Sequence, residues 1–209
     1  MARIHPVKLL PLLSAFACLL AFPRAASAHL VTTGLGPVYD GIGHLILTVD
    51  DLIPVIGLAM LAGLRGPQSG RSALFVLPLA WFAGGLLGLR APQEVALPFQ
   101  CISFLLIGLL IASDLRLPTV AIVVLTIALG VFHGYADGSA IKDAGVASGT
   151  LELLGLMVGL FVLVALISAL VITLRWDWTR IVVRVAGSWI AAMGLLLLGW
   201  AIHTASGRT

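Results

Sequence analysis

Charge is scarce in this chain of 209 residues: Lys, Arg, Asp and Glu together make up 10% of it, against 60% hydrophobic residues. Soluble domains carry about 25% charged residues, and a mean hydropathy of +1.14 sets the chain apart from them. It reads as an integral membrane protein. Cysteine is nearly absent, with Cys18 and Cys101 alone. Because Cys18 falls in an N-terminal leader and Cys101 in an apolar run, an intrachain disulfide and a paired-thiolate metal site are both excluded. The formal net charge of +3 is small and scattered, which argues against nucleic acid as a partner and leaves the basic residues as markers of topology. There is no HExxH, no Ser/His pairing at motif spacing and no Gly-rich nucleotide loop. The expectation is therefore a protein that is not an enzyme and does not hydrolyse ATP.

What the chain does contain begins with Arg3 and Lys8, followed by an apolar run from Leu9 to Phe22 and by Ala26-Ser27-Ala28. That order of basic, apolar and small residues is a secretory signal peptide over residues 1–28. The alternative is an uncleaved first span, against which Pro11 and Pro23 bracket a stretch short of the roughly 20 residues required. Cleavage after Ala28 would leave His29 at the mature N-terminus, where amine and imidazole together suit a metal ion. Residues 29–209 then form one transmembrane domain. Its apolar runs fall at about 41–63, 72–89, 95–113, 118–134, 148–174 and 180–202. Each is near the length that crosses a bilayer as a helix. The expected fold is all-α, a compact bundle of six transmembrane helices after a cleaved signal peptide, with no internal repeat.

With the mature N-terminus outside, six spans return the C-terminus outside. The inner loops then hold Arg65, Arg71, Arg116, Arg175, Arg180 and Arg184, and the outer ones Arg90, Lys142 and Arg208. That bias obeys the positive-inside rule and expects a bacterial inner membrane with both termini periplasmic. Trp176 and Trp178 fit an inner interfacial belt. Gly84, Gly85 and Gly88, then Gly155 and Gly159, recur at spacings of three and four that let helices approach closely.

Ionisable residues inside such spans are costly and mark function by default. Asp40 and His44 fall at the outer mouth of the first span, Asp50 and Asp51 deeper in it, and His133, Asp137 and Glu152 at the outer ends of the fourth and fifth. Asp40, Asp143 and Glu94 read as solvated loop charges. Glu152 reads either as a ligand or as the favourable acidic start of the fifth helix. Asp50 and Asp51 read either as functional or as helix-packing groups. His44 and Asp51, seven residues apart, share a helix face but lie about 10 Å apart along it, so one ion reaches both only if the helix is broken. Gly41 and Gly43 weaken the helix start, and Pro54 frees the carbonyl of Asp50. His133 and Asp137 are neighbours if helix continues through His133–Asp137, where Gly134 and Gly138 suggest local unwinding. Imidazole with carboxylate suits nickel, cobalt, zinc or copper better than calcium or magnesium.

The sequence resembles the HupE/UreJ family of small membrane proteins, associated with nickel supply to hydrogenase and urease. The resemblance rests on Gly41-Ile42-Gly43-His44, on Phe132-His133-Gly134-Tyr135-Ala136, and on the stretches Leu77–Ala80 and Ser103–Gly108. The family's His-Pro is Gly36-Pro37 here, its Gly-x-Asp-His is reduced to Gly43-His44, and the second histidine of its HGxAH is Asp137. The glutamate expected before the serine of the third span falls on Leu97. His44 and His133 carry over as matched family residues.

The expected function is a permease that takes a divalent transition ion, nickel ahead of cobalt, copper and zinc, from periplasm toward cytoplasm. The expected metal residues are His44, Asp50, Asp51, His133, Asp137, Glu152 and His29, with no tightly bound cofactor. The alternative is a non-transporting accessory protein that binds metal or a partner for maturation of a urease or hydrogenase. Expected partners are the lipid bilayer, the metal ion, metalloenzyme maturation proteins and further copies of the chain.

Overall fold

The computed structural model describes residues 32–91, 99–174 and 177–206. The expected signal peptide, His29 and the start of the expected third span lie outside the described residues. Among the described residues seven helices follow one another: α1 (Pro37–Leu47), α2 (Val49–Leu64), α3 (Pro67–Gly88), α4 (Phe99–Ser113), α5 (Thr119–Ala140), α6 (Val146–Thr173) and α7 (Asp177–Ser206). A short 3-10 turn, Lys142–Ala144, joins α5 to α6. Helices are what hydrocarbon demands, because each satisfies its own backbone N–H and C=O groups. Pro37 and Pro67 open α1 and α3 within the first turn, where a missing N–H costs nothing.

Among the described residues four helices, α3, α5, α6 and α7, are long and apolar enough to cross a membrane singly, and α1 with α2, a pair bent by 75°, has the same length and apolarity taken together, as a broken span or a re-entrant loop. The third expected span is represented by α4, whose 15 described residues reach about 22 Å. That is less than the roughly 30 Å of a hydrocarbon core.

The first expected span is therefore not one continuous helix. The bend falls at Thr48, whose extended backbone (φ −90°, ψ 98°) ends α1 and caps α2. Thr48 N–H donates to His44 O at 2.8 Å, and Thr48 O accepts from Asp51 and Leu52 at 3.1 and 3.0 Å, so the chain turns there with both its groups bonded. Gly41 and Gly43 stay helical, and Pro54 lies inside α2 without ending it. Gly41 serves packing instead: a Cβ there would run into the carbonyl of Glu152 on α6.

Nor does α5 unwind at its glycines. Gly134 and Gly138 press against the backbone of Trp81 and Gly85 on α3, while Gly84 and Gly88 of α3 press against Val131 and Tyr135 of α5. This interlock makes α3 and α5 the most intimate pair in the bundle, as small residues at helix crossings do in membranes. On α6, Gly155 meets the backbone of Val38 and so holds α1. α4 and α7 pack on each other and reach the other helices chiefly through α2. The core between them is apolar, built on Leu58, Leu61, Trp81, Phe104, Ile107 and Leu160.

Chain direction sorts the two ends of the bundle. Arg65, Arg71, Arg116, Arg180 and Arg184 gather where α2 and α4 end and α3, α5 and α7 begin. There Asp114, in the left-handed backbone region at φ 52°, accepts from Arg65 Nη2 and, at 2.8 Å, from Arg180 Nε. The Arg180 and Arg65 guanidiniums hold its carboxyl below the ordinary 3.8 in spite of partial burial.

Candidate metal centre

The opposite end of the bundle holds the buried histidines and their carboxylates, His44, Asp51, His133, Asp137 and Glu152. The break at Thr48 folds α1 back so that His44 and Asp51, which a straight helix would hold about 10 Å apart along its axis, come together. His44 Nε2 lies 3.7 Å from Asp51 Oδ2 and 3.5 Å from Asp137 Oδ1. Both separations are too long for hydrogen bonds, and neither ring nitrogen of His44 has a hydrogen-bond partner although the residue is 3% exposed. Ligand atoms of His44, Asp51 and Asp137 all lie within 4.8 Å of one another.

Each carboxylate divides its oxygens between two tasks. Asp51 Oδ1 meets His133 Nδ1 at 2.8 Å, which leaves Oδ2 for His44. Asp137 Oδ2 accepts from Trp81 Nε1 at 2.7 Å, which leaves Oδ1 for His44. One nitrogen and two oxygens thus converge, each carboxylate steered by a donor behind it. Outer partners of this kind fix ligand orientation in metal sites. The donor set fits a divalent transition ion, which between these three atoms would relieve an unpaired buried imidazole and two crowded carboxylates.

His133 engages both ring nitrogens, since Nε2 lies 3.2 Å from Ser103 Oγ on α4. A carboxylate only accepts, so Nδ1–H donates to Asp51, while Nε2 and the Ser103 hydroxyl share the second hydrogen bond. The Trp81 ring lies over it, with centroids 5.2 Å apart and planes at 32°. Ser103, His133 and Asp51 thus form a hydrogen-bonded line across α4, α5 and α2.

Of the seven residues expected from sequence, three converge (His44, Asp51, Asp137) and His133 stands behind Asp51 as its support. Glu152 on α6 is buried and close enough to sense the charges of His44, Asp40 and Asp137, but its carboxylate is not part of the convergent set. Asp50 is half-buried beside Asp51 and also stays outside it. Asp40, read as a loop charge, lies in the first turn of α1 and accepts from the backbone and hydroxyl of Thr33. Trp81 and Ser103 were missed by sequence reasoning. Their signal was present, because Trp81 directly follows the family-like Leu77–Ala80 and Ser103 opens the family-like Ser103–Gly108.

Helices and centre together define a multi-pass membrane protein with a buried imidazole–carboxylate cluster at one end of its bundle. The family model described as HupE / UreJ protein matches residues 17–197, and the chain belongs to that family. It is similar to Protein HupE of Rhizobium leguminosarum bv. viciae, at 26% identity over 188 residues that cover 86% of this chain and 93% of that relative. No solved structure matches the chain significantly.

Proposed function

We propose that the protein is a membrane permease for a divalent transition metal ion, nickel ahead of cobalt, copper and zinc, which it takes from the periplasm toward the cytoplasm. The observation that carries this reading is the convergence of His44 Nε2, Asp51 Oδ2 and Asp137 Oδ1 around one space, each carboxylate's other oxygen already occupied. Two carboxylates balance a dication, which hydrocarbon does not tolerate uncompensated. The association of the HupE/UreJ family with nickel supply to hydrogenase and urease supports the choice of metal. The arginine-rich end is cytoplasmic by the positive-inside rule, which puts the centre in the outer half of a bacterial inner membrane. An ion entering there would shed water against the two aspartates, with Glu152 and Asp40 as the acidic groups on its approach.

One observation favours the second reading, a non-transporting protein that binds metal for enzyme maturation. Between the centre and Arg65 the described core is mostly apolar, with Leu58, Leu61, Ala62, Ile107 and Ile111 all fully buried. Thr126 is the fully buried polar residue at that depth of α5, and its hydroxyl, which donates to Ile122 O, carries no charge to balance a dication.

The deciding experiment is accumulation of radiolabelled nickel, with cobalt, copper and zinc as competitors, in cells carrying wild type, Asp51→Asn or Asp137→Asn at matched membrane levels. A permease accumulates metal only as wild type, and the competition order names the ion. Metal bound by purified wild type without flux into vesicles selects the accessory reading. Neither binding nor flux would overturn both.

A further inference from the structure

The arginine-rich end holds an imbalance of charge beside a cavity. Arg65 and Arg180 share Asp114 as carboxylate partner, so two guanidinium charges meet one negative charge among the described side chains. Arg65 is nearly enclosed, its side chain 6% exposed, yet its Nε has no hydrogen-bond partner. A buried cationic donor left unpaired is costly. Arg180 spends Nε and Nη2 on Asp114 and keeps half its side chain accessible.

Beside Arg180 lies a cavity of about 300 Å3 between the end of α2, the start of α3, the end of α6 and the start of α7. Its walls are of two kinds. Arg180, Gly66 and Thr179, whose buried hydroxyl donates to Leu174 O at 3.4 Å, line it with polar groups, whereas Leu64, Val171 and Val183 line it with hydrocarbon. A free inorganic anion would match the first kind and waste the second. An amphiphile with a phosphate head and an acyl chain matches both.

We infer that this cavity is a binding site for an anionic phospholipid, its phosphate facing Arg180 and Thr179 and its acyl chain lying along Val171 and Val183. The phosphate is then a further anion for Arg180 beside Asp114, its carboxylate partner among the described residues. Surface attraction of basic residues to anionic lipid is a general force at this end of a membrane protein, but the cavity makes it local. One lipid per chain is held more tightly than the surrounding annulus. The site lies at the other end of the bundle from the metal centre and stands independently of any metal.

The test is native mass spectrometry of the full chain purified in detergent with mixed phosphatidylglycerol and phosphatidylcholine, beside thermal unfolding in each lipid. Wild type is expected to retain one phosphatidylglycerol at least tenfold better than phosphatidylcholine and to unfold at higher temperature in its presence. Arg180→Gln should remove that preference at least tenfold, and Val183→Phe should do the same by filling the cavity with no change of charge. Thr204→Ala, at the far end, is the folded control that keeps it. Equal retention of the two lipids by wild type would overturn the inference. So would an undiminished preference in both variants, or inorganic phosphate displacing the lipid and stabilising the protein equally well.

Discussion

At the scale of the residue, the centre depends on how each carboxylate spends its two oxygens. Asp51→Asn or Asp137→Asn replaces an anionic ligand by a neutral amide, and nickel affinity measured by calorimetry on the purified protein should fall at least tenfold in each. Asp50→Asn should leave it within a factor of about three, since consecutive helical residues point about 100° apart and Asp51 already faces the centre. Trp81→Phe keeps the ring over His133 but removes the donor to Asp137 Oδ2; losing such an outer partner costs about 10–100-fold in metal affinity, with folding retained. His44, Asp51, His133 and Asp137 were legible because polar groups stand out in apolar runs. Choosing Asp51 over Asp50 was not, because the choice depends on where the helix bends. Trp81 was passed over although it directly follows the family-like Leu77–Ala80, because in a membrane sequence a tryptophan reads as packing until the partner of its N–H is known.

At the scale of the element, glycines and prolines misdirected the reading of the break. They are the residues that weaken helices, yet Gly41, Gly134 and Gly138 are committed to close crossings between helices, and the chain bends at a threonine. Sequence alone gives no means of telling a glycine that loosens a helix from one that seats it. The distinction is testable at Gly41. Gly41→Ala drives a Cβ into the Glu152 peptide and should destabilise the protein by about 1–3 kcal/mol, the usual cost of overpacking, read as a lower midpoint of thermal unfolding in detergent. Because His44 lies one turn further along α1, nickel affinity should fall with it. The apolar runs located the helices well, since hydrocarbon thickness sets their length.

At the scale of the whole molecule, Asp114 ties the ends of α2 and α4 to the start of α7 through two arginines. Its carboxyl titrates below the usual 3.8, so the stability it contributes is present above that value and lost only as pH falls through the lower, folded-state value. Asp114→Asn, which suits the same left-handed backbone, should therefore unfold at lower temperature than wild type at neutral pH. The gap should persist through pH 3.8 and close only in stronger acid. The break at Thr48 also has an electrical consequence. It leaves Asp51 about 21 Å along α2 from Arg65, so roughly two-thirds of a 30 Å insulating layer lies on the arginine side of the centre. On the inward path proposed above, a dication crossing 100 mV gains about 4.6 kcal/mol in all, of which about 3 kcal/mol belongs to the step from the centre inward. Capture from outside takes the remaining share of about 1.5 kcal/mol, roughly tenfold in affinity, and voltage acts mainly on release.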